Sequence, residues 1–134
     1  MTIGYVNWLA VLVAGISAFV VGGIWYSPGL FGQAWMKENQ LDEEDIKRSN
    51  KARTFGWALI LALVMSSNLA MFLSDPKTDL LWGFIAGLLT GIWVFCGLAI
   101  TALFELRSWK YVFINGGYQL FALGLMGAIL GVWR

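Results

Sequence analysis

The chain has 134 residues, 59% of them hydrophobic and 13% charged, with a formal net charge of +1 and a mean hydropathy of +0.71. A soluble domain carries about a quarter charged residues, and a chain this short lacks the volume to hide so much apolar surface in an aqueous core, so lipid is expected to cover much of it. The weak net charge gives no case for nucleic-acid binding, and the absence of histidine with a single cysteine, Cys96, excludes Cys/His zinc sites, histidine acid–base chemistry and a disulfide within the chain.

Four apolar segments, about 4–26, 54–73, 79–104 and 109–132, reach the roughly 20 residues that a helix needs to cross a bilayer. No strand-like alternation competes with them, and open strands cannot cross lipid. The sequence therefore predicts an all-α polytopic membrane protein: one transmembrane domain over residues 1–134, with four helices in a compact bundle and a short interfacial helix in the polar loop 27–53.

The first segment lacks a basic leader and has too long an apolar core for a signal peptide, so it is expected to be retained. It ends at Trp25-Tyr26-Ser27-Pro28-Gly29, where the aromatic pair suits the membrane interface and Pro28-Gly29 stops the helix. Ala14, Ala18 and Gly22 recur every four residues, as close helix contact requires. The loop then carries Asp42-Glu43-Glu44-Asp45 ahead of Lys47, Arg48, Lys51 and Arg53, an order that favours a short helix, continuous or nearly so with the second segment. The four acids lack the glycine and ligand spacing of a calcium loop, so no metal is expected there.

The second segment holds Ser66-Ser67-Asn68, whose amide is expected to face another helix rather than lipid. The short turn 74–79, capped at Thr78 or Asp79, predicts that the second and third helices are antiparallel neighbours. At about 100° per residue from Gly83, Gly87 falls at about 40°, Gly91 at about 80°, Gly97 at about −40°, Thr101 at about 0° and Glu105 at about 40°. The small residues make one packing face, and Glu105 on its continuation is expected to point into the bundle. In the fourth segment Tyr111, Asn115, Tyr118 and Gln119 line one face, while Gly117, Gly124, Gly127 and Gly131 line another about 180° away. Two opposed packing faces on one helix imply partners on both sides, which predicts a homo-oligomer.

Four spans put both termini and the 74–79 turn on one side, with Lys77 and Arg134. The other side holds Lys37, Lys47, Arg48, Lys51, Arg53, Arg107 and Lys110. The basic excess predicts that loops 27–53 and 105–110 are cytoplasmic and both termini outside. Glu105, Arg107, Asn115, Tyr118, Gln119 and Tyr26 then gather toward the cytoplasmic face as the candidate ligand or polar cluster. Gly83, Gly87, Gly91, Gly124, Gly127 and Gly131 are the candidate packing residues.

Three spaced motifs carry a resemblance. They are Asn7-Trp8-Leu9-Ala10-Val11; Trp25-Tyr26-Ser27-Pro28 with Phe31-Gly32-x-x-Trp35; and Phe104-Glu105-x-Arg107-x-x-Lys110 leading to Ile114-Asn115-x-Gly117-Tyr118 and Gly127-Ala128-Ile129-Leu130-Gly131-Val132-Trp133. Together they make the chain similar, over nearly its whole length, to the bacterial domain-of-unknown-function family seventeen-sixty-one. The resemblance implies a compact four-helix protein of the bacterial inner membrane, brings no activity, and marks Tyr26, Pro28, Trp35, Glu105 and Tyr118 as positions the family pattern uses.

The function these features favour is a non-enzymatic, homo-oligomeric membrane module that binds lipid, a small molecule or a partner protein, without a cofactor. The alternative is a small channel or transporter using Glu105, Asn115, Tyr118 and Gln119. Against it, the apolar spans of the first two segments contain no charged residue, and the mid-helix acid of small four-helix drug exporters is missing. An enzyme with Glu105 as acid or base, assisted by Tyr118 and Arg107, ranks last, because no nucleophile–base pair, metal cluster or phosphate loop accompanies it.

Overall fold

The computed structural model describes residues 6–134. Among them run six helices and no strand: α1 (Trp8–Trp25), α2 (Gly32–Glu38), α3 (Glu43–Arg48), α4 (Lys51–Phe72), α5 (Leu80–Phe104) and α6 (Trp109–Val132). The chain is thus all-α, with short helices between its first two long ones. α1, α4, α5 and α6 are long and apolar enough to cross a membrane; at 1.5 Å per residue they extend about 27 to 38 Å. The expected start of the first segment at Gly4 lies outside the described residues.

Each long helix starts where a short polar side chain accepts a bond from a free backbone N–H. Asn7 caps α1, Asn50 caps α4, Asp79 caps α5 and Ser108 caps α6. The Asn50 cap starts α4 at Lys51, three residues before the expected Thr54. Asp42 and Asp45 close a reciprocal capping box on α3. The Ser49 hydroxyl bonds back to the Ile46 carbonyl at 2.6 Å, so α3 stops before α4 instead of running into it.

α6 lies between α5 on one side and α1 on the other, antiparallel to both, and α4 packs mainly on α1. The short 73–79 turn does not make α4 and α5 packed neighbours. The reason lies in which rows of small residues fit together. On α4, Ala62, Ser66 and Ala70 form an i, i+4 row that meets the Ala10, Ala14 and Ala18 region of α1. There the buried Ser66 hydroxyl donates to the Val11 carbonyl at 2.8 Å, and a Cβ on Gly15 would lie 3.3 Å from Leu63 Cα.

The α5 row finds its match on α6. Gly83, Gly87, Gly91, Gly124, Gly127 and Gly131 are all buried in this seam. A Cβ on Gly83 would strike the Gly127 carbonyl oxygen, one on Gly127 the Gly83 oxygen, one on Gly87 the Leu123 oxygen and one on Gly131 the Asp79 oxygen. Backbones approach this closely only when both sides lack side chains, the usual way that helices associate in lipid.

Candidate functional site

The face of α6 turned toward α1 is polar where the α5 face is glycine. Trp25, the last residue of α1, donates its indole N–H to the Ile114 carbonyl at 2.9 Å. Tyr26 donates its hydroxyl to Asn115 Oδ1 at 2.7 Å, and Asn115 Nδ2 donates in turn to the Tyr111 carbonyl at 3.1 Å. One helical turn deeper, the Tyr118 hydroxyl donates to the Ala18 carbonyl at 2.8 Å. Gly22 leaves room for that phenol, since a Cβ there would lie 3.3 Å from its oxygen. The Tyr26 and Tyr118 rings meet edge-on with centroids 5.5 Å apart. Burial first, and then the neighbouring phenols of Tyr118 and Tyr111, push the Tyr26 pKa above its ordinary value, so Tyr26 acts as a neutral donor.

The turn after α1 seals this junction. Phe31 N–H donates to Trp25 O and Gly32 N–H to Ser27 O, folding the chain back so that Trp35 of α2 stands edge-on to Tyr26 at 5.8 Å. Gly32 is required by close approach, because a Cβ there would strike the Tyr26 carbonyl. The spacing Trp25-Tyr26-Ser27-Pro28 then Phe31-Gly32-x-x-Trp35 is the sequence of this one closed turn.

Arg107 fastens the same end from the other side. Its guanidinium donates to the Glu38 carbonyl at 3.3 Å and to Asn39 Oδ1 at 3.2 Å, and lies over the Tyr111 ring at 4.4 Å. The neighbouring Ser108 hydroxyl donates to Glu38 Oε2 at 2.7 Å. These contacts tie the end of α2 to the turn between α5 and α6, about 70 residues away in sequence. A planar fork that bonds in two directions while stacking on a ring is suited to arginine.

Glu105 does not join the junction. It caps the end of α5 with its side chain 56% exposed, and among the described residues its one ionic contact is Arg107 at 4.0 Å. The expected inward placement assumed a packing line parallel to the helix axis. The real contact follows the i, i+4 ridge, which winds around the helix: about 0° at Gly83, about 80° at Gly91, and about 100–160° by Ala102 and Ala99. At about 40°, Glu105 has been left behind, as have Gly97 and Thr101, both exposed.

Asn68 also departs from expectation. It is exposed and bonds to the Val64 carbonyl of its own helix, while Ser66 makes the interhelical bond. The two α6 faces read as implying a second subunit are both occupied within the chain, by α5 and α1.

Of the cluster proposed from sequence, the fold therefore brings Tyr26, Asn115 and Tyr118 together and stations Arg107 beside them over Tyr111. Gln119 sits half-buried on the seam between the two α6 faces, and its amide makes no hydrogen bond among the described residues. It lies ten residues into the 24-residue α6, about 15 Å along the helix. Trp25, Glu38, Asn39 and Ser108 were not foreseen. Only the Trp25 position carried a sequence signal, through the aromatic pair at the helix end. Among the described residues no group of three or more Cys, Asp or Glu side chains is placed to hold a metal. A pocket of about 10 Å³, room for about one water, lies at the opposite end between Asn7, Leu130 and Arg134.

Compared with known proteins, the chain matches, over residues 9–131, the family described as "Protein of unknown function (DUF1761)". No curated protein and no solved structure matches it.

Proposed function

The chain belongs to this family of unknown function, and from that premise and the geometry above we propose that it is a non-enzymatic binding module of the bacterial cytoplasmic membrane. In this reading α1, α4, α5 and α6 span the bilayer, loops 27–53 and 105–110 face the cytoplasm, and the working form is a homo-oligomer whose subunits meet at Gln119.

One observation carries the reading. Tyr26, Asn115, Tyr118 and Arg107 are all engaged inside the chain, and Gln119 is the member of the cluster left without a partner among the described residues. An amide near the middle of a bilayer needs a polar partner. It carries both a donor and an acceptor, so the same amide of a second copy satisfies it across a two-fold axis. A transporter reading needs Glu105 inside the cluster, and Glu105 is exposed at the end of α5.

Native mass spectrometry of the protein in lipid nanodiscs tests this. The wild type is expected as a defined oligomer. Gln119→Leu is expected to weaken association by about tenfold, from two interhelical polar contacts of about 0.6 kcal/mol or more each. A wild-type monomer at every protein-to-lipid ratio, or a Gln119→Leu oligomer as tight as wild type, overturns the reading. Glu105-dependent ion flux in liposomes replaces it with the transporter.

A further inference from the structure

At the end of the molecule formed by residues 26–53 and 104–110 the two signs of charge are placed unevenly. Counted by sequence, it holds seven cations and six acids. Four of the acids are engaged: Glu38 accepts from Ser108, Asp42 and Asp45 close the α3 capping box, and Glu105 lies beside Arg107. Arg48 is paired with Asp45 at 3.2 Å, and Arg107 is held as described. Lys37, Lys47, Lys51, Arg53 and Lys110 are all exposed and without an ion pair among the described residues, and the carboxylates without an ion pair are Glu38, Asp42, Glu43 and Glu44, all in or beside α2 and α3.

Position along the chain separates the two signs. Lys51 and Arg53 lie in the first turn of α4 and Lys110 in the first turn of α6, immediately ahead of the apolar spans, whereas Glu38, Asp42, Glu43 and Glu44 lie earlier in the chain, in or beside α2 and α3. Cations at these places oppose the helix dipole and find no acid in either first turn, so they do not stabilise the helices they open. At the opposite end an acid, not a cation, opens the span: Asp79 caps α5, and Arg134 donates to the carbonyls of Leu73 and Asp75.

Apolar side chains protrude at the turn between α5 and α6 that leads to Lys110. Leu106 has φ 58°, the left-handed conformation that glycine adopts without strain. It turns the chain out of α5, with Arg107 N–H donating to the Ala102 carbonyl at 2.8 Å. Leu106 is 93% exposed and Phe104 is 87% exposed, with Trp57 and Trp109 also uncovered nearby in sequence to Arg53 and Lys110. Cations beside protruding apolar groups at the end of a span match a bilayer interface whose phosphates are in excess of its amines.

We propose that this end docks on anionic phospholipid, with Lys51, Arg53 and Lys110 meeting the headgroup phosphates and Phe104 and Leu106 of the turn before Lys110 entering the lipid. The inference shares the membrane setting of the module proposed above but does not depend on its oligomeric state.

The test uses the full chain in nanodiscs of phosphatidylcholine with and without phosphatidylglycerol, reading retained lipid by native mass spectrometry at low and high salt. The wild type is expected to retain phosphatidylglycerol preferentially and to lose the preference in high salt. Each basic residue contributes about fivefold. The Lys51→Gln/Arg53→Gln/Lys110→Gln variant is therefore expected to lose the preference by well over tenfold, while Lys77→Gln at the other end keeps it. The charge-preserving Lys51→Arg/Arg53→Lys/Lys110→Arg variant is expected to keep it too, which guards against a mere folding defect. Equal retention of the two lipids by wild type overturns the proposal, as does a triple Gln variant with undiminished preference or a charge-preserving variant that loses it. None of these outcomes bears on whether Gln119 joins subunits.

Discussion

Two glycines ten residues apart on α5 should respond to the same substitution with opposite signs. Gly87 faces α6, and a Cβ there would strike the Leu123 carbonyl oxygen and lie 2.9 Å from Leu123 C and 3.0 Å from Gly124 Cα. All three are backbone atoms, which cannot swing aside as a side-chain tip can, so α5 and α6 must separate by several tenths of an ångström. Overpacking of this kind costs about 1–3 kcal/mol. Alanine is a better helix former than glycine by about 0.5–1 kcal/mol, which offsets part of that. Gly87→Ala is therefore expected to destabilise by about 1–2 kcal/mol. Gly97 has nothing within 4 Å of a Cβ, so only the propensity term applies, and Gly97→Ala is expected to stabilise by about 0.5–1 kcal/mol. Equilibrium unfolding in mild detergent, followed by tryptophan fluorescence, measures the difference of about 2–3 kcal/mol. Two variants of equal stability would refute the seam as the origin of α5 packing.

The polar junction gives a graded pair. Tyr26→Phe leaves Asn115 Oδ1 without its donor and should cost about 1–2 kcal/mol. Tyr118→Phe, which removes a second bond to a carbonyl already inside helix α1, should cost about 0.5 kcal/mol, and the same unfolding assay ranks them. Arg107→Lys keeps the charge but loses the two-direction fork and the stacking on Tyr111, so it should behave nearly like Arg107→Ala, raising protease cleavage in the loop between α2 and α3. With the folded Tyr26 pKa raised above the unfolded value of 10.0, its contribution to stability is complete below pH 10 and falls as pH rises beyond it. A pH series of unfolding midpoints for wild type should decline above that point, and Tyr26→Phe should decline less.

The parts of the fold that were legible are those written in short-range chemistry. Four apolar runs, the Asp79 cap before α5, and glycine rows at i, i+4 spacing all follow from neighbours along the chain. Long-range partner choice was harder. The turn at 73–79 is short enough to pair α4 with α5, yet each helix carries a row of small residues that fits another partner better: α4 against α1 and α5 against α6. Sequence spacing can name a row, but the match between rows is a property of two surfaces. The Arg107 clamp was illegible for the same reason, since nothing local to Glu38 or Asn39 points to residues 107–108. Glu105 was misplaced by geometry: a fixed angle on a helical wheel describes a seam parallel to the axis, and a ridge-packed seam rotates away from it over 22 residues.

The two faces of α6 explain why the polar stripe was easy to read as a site. In lipid, helices gain little from burying apolar side chains against each other, because the tails outside are equally apolar. Association must then come from close backbone approach or from hydrogen bonds, and α6 uses one on each side. Glycine serves toward α5 and the Trp25, Tyr26 and Tyr118 bonds serve toward α1. A polar residue inside a span is thus a candidate for function only after the helix-joining demand has been met. Tyr26, Asn115 and Tyr118 meet that demand and are satisfied by it. Gln119 lies between the two faces and serves neither, which makes it the residue of the stripe whose chemistry still points outside the chain.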